Sequence, residues 1–306
     1  MTDQSSKRRI VRARASVSQI PSGTEASTTP KIYGLSPNDR PIFHLLEEGN
    51  LDRLNELLAK GAHVLAAKME QTEKTPLMVA ARLGREDLCN AMLDERAPLD
   101  VWTSTGITPL HDALEYGLDE IALRMIKMGA PLQAQCPGQD TALHIAARYS
   151  SARLLRALVA AGADPNAEAS MKCTPVIQAA YRGQVEIMRV LEELGASVLN
   201  AKHFFNQLPG GVWGGPFSDC LNIAAESNHM DLVSYLVEGH PWPQERKNVA
   251  LKVAGRKGWI GIVRLLVAEG ADPFAAAGAN KASAVETAKK GKQKAVMDFF
   301  RTLRSG

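Results

Sequence analysis

The chain has 306 residues, of which 45% are hydrophobic and only 5% aromatic, and its formal net charge at neutral pH is +3. This composition is sufficient for a continuous core, which we expect to consist of Leu, Ala, Val and Ile. No run of about 18 apolar residues occurs and the start lacks the apolar stretch of a secretory signal, so the sequence predicts neither a membrane span nor export.

Residues 1–40 are rich in Ser, Thr, Arg and Pro and hold seven basic and three acidic residues, a net charge of +4 that leaves the rest of the chain near −1. Such a segment cannot bury enough apolar surface to offset the entropy of ordering, so we predict a disordered basic tail. The basic cluster Lys7-Arg8-Arg9 with Arg12 and Arg14 is compatible with a nuclear import signal, a mitochondrial presequence or a solvated tail. The nearly neutral remainder lacks the basic footprint of a nucleic-acid binder.

Four cysteines are scattered along the chain without a C-x-x-C pair: Cys89, Cys136, Cys173 and Cys220. This spacing favours reduced thiols in the cytosol or nucleus over disulfides or a zinc site. We therefore predict neither a cofactor nor a set of metal ligands.

Four threonines recur at a strict interval of 33 residues, and each opens a similar phrase. The phrases are Thr75-Pro76-Leu77-Met78, Thr108-Pro109-Leu110-His111, Thr141-Ala142-Leu143-His144 and Thr174-Pro175-Val176-Ile177. Self-similarity at this period is typical of a stacked array of helix–turn–helix repeats.

Taking the third residue of each phrase as origin, a small turn residue follows seven positions later, and a glycine phrase such as Gly162-Ala163-Asp164-Pro165-Asn166 closes the unit. Glycine suits a left-handed helix end and proline prevents continuation. Weaker units begin near Ile42, Leu221, Leu251 and Ala284. We count eight units over residues 41–302, six of them internal, and assign residues 303–306 to a short C-terminal end.

The 33-residue period and the T-P-L-H-x-A phrase resemble the ankyrin repeat. The resemblance covers roughly residues 41–302 and is strongest from 75 to 200. It implies an all-α solenoid of about eight helix–turn–helix units with short β-hairpin fingers, used for binding and not for catalysis. Threonine is expected to cap the first helix, proline to occupy its first turn, and His111 and His144 to bond backbone near the turns.

In an ankyrin-like frame, the fifth and sixth residues after each origin lie at the exposed end of the first helix, beside a concave groove. Arginine and tyrosine, both enriched at interface hot spots, alternate there with acidic residues. With repeats about 10 Å apart, the tyrosines would form a ridge about 20 Å long. The alternative is that these residues serve only solubility. The candidate partner-binding residues here are Arg82, Tyr116, Arg148, Tyr149, Tyr181 and Arg182.

Finger tips would extend the same surface, and the basic residues favour an acidic or phosphorylated partner segment. Trp102 stands just before a tip, either as an exposed anchor or as a packing residue. The other tip candidates are Ser104, Thr105, Ile107, Gln135, Asp140, Glu168 and Met171.

An insertion interrupts the array, because Val176 and Leu221 are 45 residues apart, twelve more than the period requires. The excess, residues 201–217, is rich in Gly and Pro, and long loops of this kind are usually functional or disordered. Its aromatic residues Phe204, Phe205, Trp213 and Phe217 either fold back on the stack or contribute to recognition, and we include Trp213 among the candidate binding residues.

No nucleotide-binding, serine-hydrolase or zinc-protease motif is present. We therefore predict a non-catalytic, monomeric adaptor that binds a protein partner. One alternative is a nuclear regulator that contacts nucleic acid or chromatin through its tail. A remote alternative is an enzyme near the insertion, with His203, Asp219 and Cys220 as nucleophile and base.

Overall fold

The computed structural model describes residues 32–33, 41–59, 65–66, 68–69, 72–149, 151–204, 217–278 and 281–305. Within these ranges sixteen α-helices form eight consecutive pairs. The pairs are Pro41–Glu48 (α1) with Leu51–Ala59 (α2), Pro76–Arg82 (α3) with Glu86–Asp94 (α4), Pro109–Glu115 (α5) with Asp119–Lys127 (α6), Ala142–Tyr149 (α7) with Ala152–Ala160 (α8), Pro175–Arg182 (α9) with Val185–Glu193 (α10), Cys220–Glu226 (α11) with Met230–Gly239 (α12), Gln244–Lys257 (α13) with Ile260–Ala268 (α14), and Ala284–Lys290 (α15) with Lys294–Ser305 (α16).

Each first helix packs on the first helix of the next pair, and each second helix packs on the next second helix. The buried side chains, mainly Leu, Ala, Ile, Val and Met, form one core that runs from Ile42 to Phe300. Consecutive alanines at Ala146-Ala147 and Ala179-Ala180 are fully buried, which lets neighbouring first helices approach closely. The structure confirms the predicted all-α solenoid of eight units.

The repeated threonine phrase begins the first helices, and the threonine hydroxyl accepts from a backbone N–H of the first turn in two of its four copies. The Thr75 hydroxyl accepts from the backbone N–H of Met78 at 3.4 Å. In α5 the Thr108 hydroxyl accepts from the backbone N–H of His111 at 3.4 Å, while the Thr108 N–H donates to His111 Nδ1 at 3.1 Å.

The next two phrases differ from each other because only one of them keeps the histidine. The Thr141 N–H donates to His144 Nδ1 at 3.2 Å, and His144 Nε2 lies 2.9 Å from the Cys173 carbonyl of the next unit. Ile177 replaces histidine in the following phrase, and among the described residues the Thr174 hydroxyl has no hydrogen-bond partner. The predicted threonine cap is therefore wrong for Thr174.

Side chains that open four of the second helices donate to a carbonyl at the end of the preceding unit's first helix. These bonds join successive units along one edge of the stack, and two of them start beside a left-handed glycine turn. They are Arg85 Nη2 to the Gly49 carbonyl (2.9 Å), His229 Nε2 to Tyr181 (3.1 Å), Trp259 Nε1 to Glu226 (3.2 Å) and Gln293 Nε2 to Arg256 (3.1 Å).

Three short turns project between consecutive units, each closed by a backbone hydrogen bond. They are finger 1 (Thr103–Ile107), finger 2 (Cys136–Asp140) and finger 3 (Ala169–Cys173), with first-to-last N–H···O distances of 3.0, 3.0 and 2.7 Å. The Ser170 N–H also donates to the Gly138 carbonyl at 2.8 Å, which links fingers 2 and 3.

Two antiparallel strand pairs flank these fingers: Ile32–Tyr33 (β1) with Lys68–Met69 (β2), and His203–Phe204 (β3) with Phe217–Ser218 (β4). The second pair forms the base of the insertion, and β3 contacts finger 3. The insertion therefore leaves the stack at the place where an ordinary finger would stand. Phe205 and Trp213 lie outside the described residues, as does most of the predicted tail.

Three predicted boundaries are corrected. Ile32 and Tyr33, assigned to the tail, pair with the strand at Lys68–Met69. The last helix continues to Ser305 because no glycine or proline precedes Gly306 to stop it. The seventh unit's first helix begins at Gln244, directly after Pro243, rather than near Leu251. Within the described ranges no helix is both long and apolar enough to cross a membrane.

Candidate partner-binding groove

Tyr149 and Arg182 end the first helices of two consecutive units and stack on each other. The guanidinium carbon of Arg182 lies 5.0 Å from the centroid of the Tyr149 ring, and that of Arg148 lies 5.6 Å from the same centroid. Tyr149 nevertheless keeps 36% of its surface exposed. A ring that contacts two cations and is still accessible is amphipathic, a property typical of residues at binding hot spots.

Arg148 connects the first helices to the fingers. Its Nη2 donates to Asp140 Oδ2 of finger 2 at 2.6 Å, and its Nε donates to Gln178 Oε1 of α9 at 3.0 Å. Gln178 in turn donates from Nε2 to Cys173 Sγ of finger 3 at 3.3 Å. The charge of Arg148 is therefore balanced by Asp140, and its principal role is to hold fingers 2 and 3 against α7 and α9.

A cleft of about 270 Å³ opens beside Tyr149, between finger 2 and the helices α5 and α7. Its apolar lining consists of Ile107, Cys136, Pro137, Ile145 and Tyr149. Its polar lining consists of His111, Glu115, Asp140 and Arg148. Burial raises the pKa of the Cys136 thiol to about 11, so this cysteine contributes a neutral wall.

Behind the cleft, α5 is held to the preceding unit by a buried ion pair. The Lys74 Nζ lies 2.7 and 2.8 Å from the two carboxylate oxygens of Asp112. Burial raises the pKa of Asp112, and the charge of Lys74 opposes that rise. Because the two charges satisfy each other in a buried position, neither is available to bind a partner.

The remaining predicted binding residues have different surroundings. Arg82 is exposed at the end of α3, and Trp102 is 60% exposed beside finger 1. Tyr116 is half-buried. Tyr181 packs against the core, and burial raises its pKa. Trp213 lies outside the described residues.

The difference between Tyr149 and Tyr181 follows from the sequence frame. Tyr149 stands six residues after its origin Leu143, whereas Tyr181 stands five residues after Val176. One residue rotates a side chain by about 100° around a helix, so the two tyrosines point in different directions, and Tyr181 is the one that packs against the core. Arg182 then occupies the place that corresponds to Tyr149, which explains why the two stack.

Two of the three residues considered for catalysis have structural roles. Cys220 is completely buried, and burial raises the pKa of its thiol well above the ordinary value. The Asp219 carboxylate accepts from the Asn222 N–H at 2.9 Å as the cap of α11, and from Arg246 Nη1 at 3.0 Å. His203 lies in β3.

Sequence reasoning missed Pro137, Ile145 and Gln178 as parts of the groove, whereas Glu115 was among the positions read off beside it. The Pro137-Gly138 turn signals a finger, but the cleft depends on how that finger leans on the next unit. It also missed the backbone of finger 3, where Met171 adopts φ 57° while Gly138 of finger 2 occupies the equivalent place with φ 88°. This region is costly for a residue with a Cβ.

The stacked helix pairs, their projecting fingers and the groove between them define a helical repeat solenoid. A family model for ankyrin repeats matches residues 42–136 and 128–202, together more than half of the chain. The chain belongs to the ankyrin-repeat family, whose repeats are in general protein–protein interaction modules.

A solved structure, the crystal structure of the human ASB11 ankyrin repeat domain, superimposes with a TM-score of 0.62 at 22% sequence identity. The match covers 74% of this chain and 97% of that domain. At this identity the likeness supports the fold alone. A search of the curated proteins found no significant match.

Proposed function

We propose that the protein is a non-catalytic adaptor of the cytosol or nucleus that binds a segment of a partner protein in the groove between fingers 1–3 and helices α5, α7 and α9. The observation that carries this proposal is the exposed Tyr149–Arg182 stack beside a cleft of about 270 Å³. Clefts that combine aromatic and apolar walls with convergent polar groups are typical binding sites.

The chemistry of the groove favours an acidic or phosphorylated segment. Arg148 is neutralised by Asp140, but among the described residues no carboxylate forms an ion pair with Arg182. Arginine presents a planar set of donors that matches a carboxylate or a phosphate with two parallel hydrogen bonds. Arg182 is thus available to a bound anion, whereas the charge of Arg148 is already balanced.

Affinity capture from cell lysate tests this function, with the wild-type chain compared with a Tyr149→Ala/Arg182→Ala variant. The control is Arg153→Ala, which removes an arginine from the exposed face of α8, where it pairs with Glu120. Thermal melts establish that all three proteins are folded. Partners retained by wild type and control but lost by the double variant support the groove, and identical partner sets overturn it.

The tail offers a second candidate function, since residues 1–40 carry a net charge of +4. Contact with nucleic acid through this tail would weaken steeply with added salt, because binding releases counterions from phosphates. Deleting residues 1–31, which spares the strand Ile32–Tyr33, would abolish such binding and leave groove binding intact. Binding of a DNA duplex that survives the deletion contradicts this second candidate.

A further inference from the structure

We propose that the cleft beside Tyr149 is an anchor subsite for one aromatic side chain of an extended partner segment, and that Arg182 binds a carboxylate two residues from that anchor. This inference rests on the proposed function and specifies the partner. The occupant is an acidic peptide segment with one large aromatic residue.

The size and lining of the cleft support the anchor. A cavity of about 150 Å³ lined by apolar side chains binds benzene. The cleft of about 270 Å³ is larger, and Ile107, Pro137 and Ile145 supply its apolar surface. One aromatic ring therefore fits with room for its linking atoms. The polar members Glu115, Asp140 and Arg148 belong to the same lining, and Asp140 and Arg148 already satisfy each other at 2.6 Å.

The stacking of Arg182 on Tyr149 supports the proposal that Arg182 binds a carboxylate of the partner. When a guanidinium lies over an aromatic face, its plane is occupied but the N–H groups on its edge remain able to donate. The contact with Tyr149 therefore fixes the orientation of Arg182 without using its hydrogen bonds. An arginine held in this way loses less side-chain entropy when it binds a carboxylate than a freely moving one.

The adjacency of the two subsites sets the sequence spacing. Tyr149 lines the cleft, and the guanidinium carbon of Arg182 lies 5.0 Å from the centroid of the same ring, so the two subsites are neighbours. In an extended chain, side chains two residues apart point to the same face and are about 6.8 Å apart. The expected motif is an aromatic residue, any residue, and Asp or Glu, in either chain direction.

A random 12-residue peptide display library tests this motif against the full chain. The wild type should enrich peptides with an aromatic residue two positions from Asp or Glu. Arg182→Glu should exchange the acidic preference for Lys or Arg, and Cys136→Leu, which narrows the cleft, should shift the anchor to smaller apolar residues. The matched control Arg153→Glu should select the same peptides as wild type, and thermal melts confirm that every variant is folded.

Fluorescence anisotropy with an enriched peptide supplies the second measurement. Replacing its acidic residue by the amide should weaken binding to wild type about tenfold, and should change binding to Arg182→Gln much less. Peptides that need Tyr149 but show no acidic preference overturn the inference and leave the proposed function standing. If Tyr149→Ala selects the same peptides as wild type, or if wild type enriches no peptide above background, both the inference and the proposed function are overturned.

Discussion

The guanidinium of Arg182 lies 5.0 Å from the ring centroid of Tyr149, and the two residues are separated by one 33-residue period. They therefore hold the same place in successive units, so that a side chain of one repeat is positioned by its counterpart in the next. This contact joins the scaffold to the groove, because the same ring borders the cleft.

The Tyr149–Arg182 contact should be measurable as a coupling energy. A double-mutant cycle of Tyr149→Leu with Arg182→Ala should give about 0.5–1 kcal/mol of favourable interaction, the range of partly exposed cation–π pairs. Urea unfolding of the four proteins measures it. The cycle of Tyr116→Leu with Arg182→Ala, two units apart, should give no coupling, and equal values for the two cycles would contradict a specific contact.

Breaking the Lys74–Asp112 pair should be costly. Lys74→Met leaves a buried carboxylate without its cation and should lower the free energy of unfolding by about 3 kcal/mol at pH 7. The loss should shrink as the pH falls, because Asp112 can then be buried in its neutral form. Arg153→Met removes the exposed Arg153–Glu120 pair and should cost no more than about 1 kcal/mol.

Acid should destabilise the fold through its buried histidines. Burial lowers the pKa of His111 to about 4, with opposing contributions from the Ala134 carbonyl and Asp140, and burial also lowers that of His144. Between pH 6.5 and 4 the unfolded chain therefore binds protons that the folded chain does not, so stability falls as pH falls. His111 alone should account for roughly 2 kcal/mol between pH 7.5 and pH 5.

Urea unfolding at those two pH values measures the effect. His111→Gln, which keeps a residue suited to the capping box, should reduce the difference. An undiminished difference in His111→Gln would assign the acid sensitivity to other groups.

The turn glycines should differ in their tolerance of a methyl group. Gly117 and Gly183 both adopt left-handed backbone, with φ of 71° and 66°, so alanine strains either one by about 1 kcal/mol. A Cβ on Gly183 would also lie 2.4 Å from His229 Nδ1, whereas one on Gly117 meets no described atom within 4 Å. Gly183→Ala should therefore lower the melting temperature more than Gly117→Ala, and the reverse order would contradict the close approach of His229.

Replacing Met171 by glycine should relieve backbone strain at the tip of finger 3. Met171 adopts φ 57° where finger 2 has Gly138, so Met171→Gly should raise the free energy of unfolding by roughly 0.5 kcal/mol after the entropy gained by the unfolded chain. Met128 is similarly exposed but has φ −83° at the end of α6. Met128→Gly should destabilise, and a parallel response of the two sites would rule out strain at Met171.

The sequence alone was sufficient for the number of units and the start of most first helices, because threonine caps, prolines and glycine turns act locally. It was insufficient where a property depends on the neighbouring unit. Tyr181 looked equivalent to Tyr149 by composition, but it is half-buried against the core whereas Tyr149 is 36% exposed. The role of Arg148 depends on Asp140 and Gln178, which the repeat brings together from two units.

The length of α13 was also beyond local reasoning. Its first turn, from Gln244, replaces the loop that precedes the first helix in other units, and Asn248 bonds the Asp272 N–H of the next unit at 2.8 Å. Contacts of this kind between units let the helix begin earlier than the 33-residue repeat predicts. Glycine and proline spacing gave no sign of it.

The strand pair at the base of the insertion has a consequence for protein engineering. Pairing of Phe204 with Phe217 brings the two ends of the intervening segment within about 5.5 Å, the width of one strand pair. The neighbouring units therefore contact only the paired ends of the segment. The entropic cost of closing a longer segment between these ends grows only with the logarithm of its length. A foreign peptide or a small domain with adjacent termini can be grafted between these two residues, and the solenoid would serve as a carrier that displays it beside finger 3.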